Sequence, residues 1–120
     1  MVEKFAHRSF KLWEYVITFQ QLLIRSQKTI NEPTNVDIVF FATSYIEIPT
    51  GEGLFKLLRP TLEECNRAKF VLAKKVESES IFILERDLKR FMVVAVSYKV
   101  IEDERDFWDS PLQTFRMGQK

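Results

Sequence analysis

With 120 residues, 46% of them hydrophobic and only three glycines, the chain has enough apolar material to bury a core without covalent staples, and it is neither a disordered tract nor a collagen-like scaffold. Eighteen Lys and Arg stand against 17 Asp and Glu, so the net charge of +1 sets up no global field for nucleic acid or anionic lipid. A single Cys65 and a single His7 exclude an internal disulfide, and in a monomer they exclude zinc held by its usual ligand set.

The first eight residues carry Glu3, Lys4 and Arg8 and lead into no apolar stretch of signal-peptide length, and no apolar run approaches spanning length. These features, with the lone cysteine, place the protein in the cytoplasm, away from membranes.

Ser9 to Ser26 holds two competing periodicities. Lys11, Glu14, Thr18, Gln21 and Arg25 recur every three or four positions, as on one face of a helix. The segment is nevertheless dominated by aromatic and β-branched residues, which favour a pleated surface. It reads as a hairpin turning at Phe19 and Gln20, with Glu14 opposite Arg25 and Val16 opposite Leu23. The alternative is one helix over 9–26.

After the loop KTINEPT, the stretch from Asn35 to Ile48 begins with apolar residues on both faces, Val36, Ile38 and Phe40 alternating with Val39 and Phe41. That is the pattern of a central strand, and Thr43 and Ser44 mark a break or bulge within it. Asp37 interrupts it with a charge that reads as a strand entry near solvent or as the partner of a base such as Arg25. PTGEG at 49–53 is a turn: it lacks the Lys-Ser/Thr and the strand-turn-helix setting of a phosphate loop. Leu54 to Leu58 reads as a short strand pairing back on the one before it.

Thr61 and Glu64, after Pro60, stand at capping-box spacing and predict one or two helical turns through Ala68. Phe70 to Val76 is ambiguous, Ile81 to Glu85 is strand-like, and Phe91 to Ile101 is the longest predicted strand. The fold class that results is a mostly antiparallel all-β domain covering 1–120. It has six or seven strands in a small barrel or sandwich and one short helix near 61–67. With 9–26 helical it becomes α+β.

No catalytic residue, cofactor site or metal site emerges. His7 and Cys65 make a poor dyad, and Glu14, Asp37, Glu47 and Glu85 sit in apolar contexts without an interpretable pair spacing. Lys56, Arg59, Arg67, Lys69, Lys74 and Lys75, interleaved with Phe55 and Phe70, form a candidate basic patch for nucleic acid. Glu102, Asp103, Glu104, Asp106 and Asp109 against Arg105 leave the end of the chain acidic, and the two regions invite mutual attraction. Beside that acidic segment Phe107, Trp108 and Phe115 are candidate interface anchors. The expected function is therefore non-catalytic: a protein-protein binding domain, dimeric through edge pairing or sheet stacking. A small-ligand β-barrel and a nucleic-acid binder acting through 56–75 are the alternatives.

Overall fold

A computed structural model describes residue 5, residues 7–107 and residues 109–112. Ser9 to Ser26 is a hairpin of β1 (Ser9–Val16) and β2 (Gln21–Ser26). Its register differs from the expected one: Glu14 lies opposite Leu23, Val16 opposite Gln21 and, beyond an irregularity at Trp13, Lys11 opposite Arg25. A two-residue turn at Phe19-Gln20 would demand positive φ for which neither side chain is suited. The chain instead turns over Ile17–Gln20, where only Gln20 is left-handed (φ 52°) and its N–H donates to the Ile17 carbonyl at 3.2 Å. The extra residue in β1 is Trp13, so alternation slips there.

β3 (Asn35–Phe41) lies between β2 and β9 (Ser97–Asp103), and β5 (Gly53–Leu54) pairs with the start of β1, giving the order β5-β1-β2-β3-β9. The central position expected for Asn35 to Ile48 holds for its first half, Asn35–Phe41, where every residue from Asn35 to Phe40 is buried, whereas Tyr45–Ile46 goes to the end of the other sheet. A second sheet runs β4 (Tyr45–Ile46), β8 (Lys89–Val94), β7 (Ile81–Arg86), β6 (Lys56–Leu58). All strand pairings among the described residues are antiparallel, and the two sheets face one another as a sandwich that these pairings do not close into a barrel.

Three predicted strands are split, which raises the count among the described residues to nine. The chain leaves β3 at Ala42 (φ 51°) and enters the other sheet at β4. The predicted strand 91–101 breaks at Ala95-Val96 and returns from β8 to β9. The two crossings satisfy each other's backbone, since Val96 N–H donates to the Phe41 carbonyl (2.9 Å) and Ser44 N–H to the Val94 carbonyl (2.8 Å). Leu54 to Leu58, expected to pair backward, divides instead between β1 and β7. Phe55 at the division is buried, with the Arg86 guanidinium 5.7 Å from its ring. Arg86 donates to the carbonyls of Gly51 (2.9 Å) and Glu52 (2.7 Å) and passes where a Cβ on residue 53 would lie, so any larger residue there would have to displace the Arg86 side chain from these bonds.

The main core fills the space between the sheets, with Leu22, Ile24, Ile38 and Phe40 meeting Leu84 and Val93. Helix α1 (Leu62–Leu72) covers the outer face of the four-stranded sheet through Cys65, Ala68 and Leu72. It starts at the expected capping box, Glu64 N–H donating to Thr61 Oγ1 (3.2 Å) and Thr61 N–H to Glu64 Oε1 (2.9 Å). It runs a turn past Ala68, because Leu72 packs inward while Phe70 stays in solvent, and it ends at left-handed Ala73. No helix among the described residues is long and apolar enough to cross a membrane.

Glu64 does double duty. Arg90 on β8 holds both of its oxygens at 2.9 Å, and this hydrogen bonding takes its pKa from 4.5 down to about 2. A carboxylate with a depressed folded pKa stabilises above its unfolded value and loses that contribution as pH falls toward the folded one. The window is therefore pH 4.5 to about 2. In urea titrations Arg90→Gln should be less stable than the wild type near neutrality, and the gap should close across that window. A gap unchanged with pH would refute the coupling.

Candidate functional site

The candidate site is built on the outer face of the five-stranded sheet, around a buried ion pair. Arg25 on β2 and Asp37 on β3 are 1% and 0% exposed and stand opposite each other in the ladder. Arg25 Nε donates to Asp37 Oδ1 at 2.6 Å and Nη2 donates to Oδ2 at 3.0 Å, a bidentate pair. Asp37 thus has the basic partner anticipated for it, and the expected Glu14–Arg25 match is not made. Glu14 instead accepts from Ser110 Oγ at 2.6 Å.

The Arg25 guanidinium has two further neighbours. Trp13, re-aimed by the bulge in β1, lies with its ring centroid 5.0 Å from Arg25 Cζ, a cation–π contact in a desolvated place. On the other side Nη2 donates to the Asp109 carbonyl at 2.9 Å. The segment after β9 is held by similar bonds: Lys28 Nζ to the Glu104 carbonyl and Asn35 Nδ2 to the Arg105 carbonyl, both 2.7 Å. Leu112 is buried against Leu23 and Val39. This brings Phe107 edge-on to Trp13, 5.1 Å between centroids and 70° between planes, and leaves it 48% exposed. Trp108 and Phe115 lie outside the described residues.

Trp13 and Phe107 border two depressions. One, of about 380 Å³, is walled by His7, Arg8, Lys11 and Lys28 with Arg25 and Glu32; the other, of about 410 Å³, adds Glu14 and Asp109. Lys11 Nζ is 5.9 Å from the Trp13 ring. Arg8 is buried and donates to Ser26 Oγ (3.0 Å) and the Thr34 carbonyl (2.7 Å), anchoring the rim.

The candidate basic patch is dispersed. Lys56 sits on β6 opposite Glu85, Arg59 on a loop whose carbonyl accepts from Arg90, and Lys69 on α1. Arg67 is committed to Glu47 by two bonds of 2.9 and 3.1 Å, and Lys75 lies 3.7 Å from Glu77 while Lys74 is exposed. Of the two aromatics expected among them, Phe55 is core and Phe70 is in solvent. Among the described residues no bond joins the patch to the acidic segment, whose polar contacts run to Lys28, Thr34, Asn35, Arg25 and its own Arg105.

The four apolar-context carboxylates are also apart. Asp37 and Glu14 lie on the outer face described above, and Glu47 and Glu85 lie on the other sheet. Glu47 is held below the usual carboxylate range by the Arg67 hydrogen bonds, against the desolvation that would raise it, so it is kept charged. Cys65 packs beneath α1, whereas His7 Nε2 sits 3.3 Å from Glu32 at the depression of the other sheet, so the two form no dyad. No group of three or more His, Cys, Asp or Glu among the described residues could hold a metal. Trp13, Lys11 and Lys28 were not anticipated as site residues. The only trace of Trp13's role is the adjacency of Leu12 and Trp13, two large apolar residues that break strict alternation. No family model, curated protein or solved structure matches the chain.

Removing one partner of a buried pair leaves an uncompensated charge, whereas replacing both does not. Asp37→Asn and Arg25→Met should each cost about 3–5 kcal/mol, and Arg25→Met with Asp37→Leu should cost less than the sum of the two. Urea unfolding measures all three. Strict additivity would show that the two groups do not act as a pair.

Proposed function

We propose that this is a non-catalytic binding domain, working in the cytoplasm, that presents the Trp13–Phe107 surface to another protein. The observation that carries the reading is a half-exposed Phe107 held edge-on against a Trp that is itself backed by a buried cation. Rigid aromatics beside concave ground, rimmed by both charge signs, have the anatomy of interface anchors. Docking of the segment from 104 to 112 already rests on three carbonyl bonds and on buried Leu112, so a pinning role for Phe107 explains less of its exposed half. The free Cys65 agrees with a reducing compartment.

Self-association has its own support. β9 ends the five-stranded sheet, is seven residues long and has Ser97, Tyr98 and Lys99 exposed, whereas the terminal strands β4, β5 and β6 are two or three residues long. A long edge with no strand partner among the described residues is the natural place for a second copy to add antiparallel about a two-fold axis.

Affinity capture from the native host compares the wild type with Phe107→Ala. A protein retained by the wild type and lost by the variant, with melting temperatures within about 4 °C of each other, supports the surface. Equal retention refutes it. Sedimentation equilibrium at micromolar concentration should give twice the 14.3 kDa chain mass, and a mass of 14.3 kDa would refute the dimer.

A further inference from the structure

We infer that the depression of about 380 Å³ beside Trp13 binds an oxyanion carried on a peptide segment of the partner, an acidic or phosphorylated side chain, with an adjacent apolar side chain resting on Trp13 and Phe107. This deepens the surface reading above and rests on it.

The charges around this depression are unequally answered. Glu32 lies within 3.3 Å of His7 and 3.5 Å of Arg8, and Arg25 is matched by Asp37. Lys11 has only the Trp13 ring, and Lys28 Nζ donates only to a neutral carbonyl, that of Glu104. Among the described residues neither lysine has a carboxylate within 4 Å. Counting Asp37 behind Arg25, four cations (Arg8, Lys11, Arg25, Lys28) meet three carboxylates (Glu32, Asp37, Glu52); with Glu32 beside Arg8 and Asp37 on Arg25, the two lysines are left with Glu52 and one positive charge is in excess. Arg25 Nη1, buried at the same wall, has no acceptor among the described residues. Lys28 is half-buried and Lys11 is exposed beside the ring. Lysines beside an aromatic wall attract an anion with an apolar neighbour, because the ammonium groups pair with the charge while the ring takes the apolar part.

The extent of the charge decides what carries the anion. A nucleic-acid strand needs a basic groove that follows its backbone, and here the ground beyond Trp13 turns acidic at Glu14 and Asp109. One or two anionic side chains fit this pattern; a polyanion is turned away by it.

The test is an ¹H–¹⁵N titration of the full chain with three N-acetylated, amidated tripeptides, Glu-Phe-Glu, phosphoSer-Phe-phosphoSer and Lys-Phe-Lys, and with a short oligo-dT. At least one anionic peptide should shift the Trp13 indole N–H and the Lys11 and Lys28 amides saturably, and the stronger of the two identifies carboxylate or phosphate as the source. Lys11→Gln with Lys28→Gln should weaken it about 5–10-fold, the loss of two partly exposed ion pairs. Because Lys28 also ties down the Glu104 carbonyl, Lys11→Gln alone, which removes no hydrogen bond, should weaken it about 2–3-fold at unchanged melting temperature. Lys56→Gln with Lys69→Gln should leave it unaltered. The inference is overturned if neither anionic peptide shifts these signals, if Lys-Phe-Lys binds equally, if the Lys11/Lys28 variant binds undiminished, or if oligo-dT binds tighter than both peptides. Partner capture retained by the Lys11/Lys28 variant but lost by Phe107→Ala overturns the oxyanion site alone. Capture retained by Phe107→Ala overturns the surface reading, whatever the peptides do.

Discussion

Taking a guanidinium and a carboxylate out of water costs several kcal/mol per ion, and Arg25 and Asp37 offset it only through two short charge-assisted bonds across the β2–β3 ladder. The geometry holds for one register of those strands. A slip by one residue would turn either group to the other face of the sheet, into the apolar core formed by Leu22, Ile24, Ile38 and Phe40. The same cation supports Trp13 and the Asp109 carbonyl, so register, aromatic platform and docked segment share one anchor. A Lys at position 25 would keep the charge but neither the planar stack nor the fork.

On the other side of the core the governing constraint is the corner where the chain crosses twice between sheets. β3 and β8 both end there, and each crossing takes backbone groups out of its own ladder. Because Val96 pairs with Phe41 and Ser44 with Val94, the crossings answer one another. Two sheets joined this way at one corner are held facing each other, and the ring pair Trp13 and Phe107 lies on the outer surface of the five-stranded one.

Much of this architecture is legible in local chemistry. The doubly apolar run of β3 announces a strand covered on both faces, the Thr61/Glu64 spacing announces a helix start, and β-branched content selects hairpin over helix at 9–26. What escapes is decided by distant partners. The break at Ala95-Val96 lies in an apolar run with no turn residue, and only its bonds to Ser80 and Phe41 reveal it. Phe70 and Val71 look strand-like because their exposure on α1 depends on which helix face meets the sheet. The site was legible in part: Phe107 and the basic partner of Asp37 could be anticipated, while the platform beneath Phe107 arises from a one-residue bulge that carries no turn signature.

The way the acidic segment is attached bears on how the surface works. Its ties run through the main-chain carbonyls of Glu104, Arg105 and Asp109, so its docking does not depend on the charges of its own side chains. Asp103 is neutralised by Arg105 at 2.7 Å, and Glu102 accepts from Thr34, whereas Glu104 and Asp106 have no side-chain partner among the described residues. A strap fastened by its backbone fixes ring position through covalent geometry and leaves its carboxylates to shape the field beside Phe107. On the proposed reading, those carboxylates would repel a polyanion along the strap while Lys11 and Lys28 attract a single anion next to it. Discrimination between partners would then come from the order of charges along one short stretch of surface, with no need of net charge on the protein as a whole.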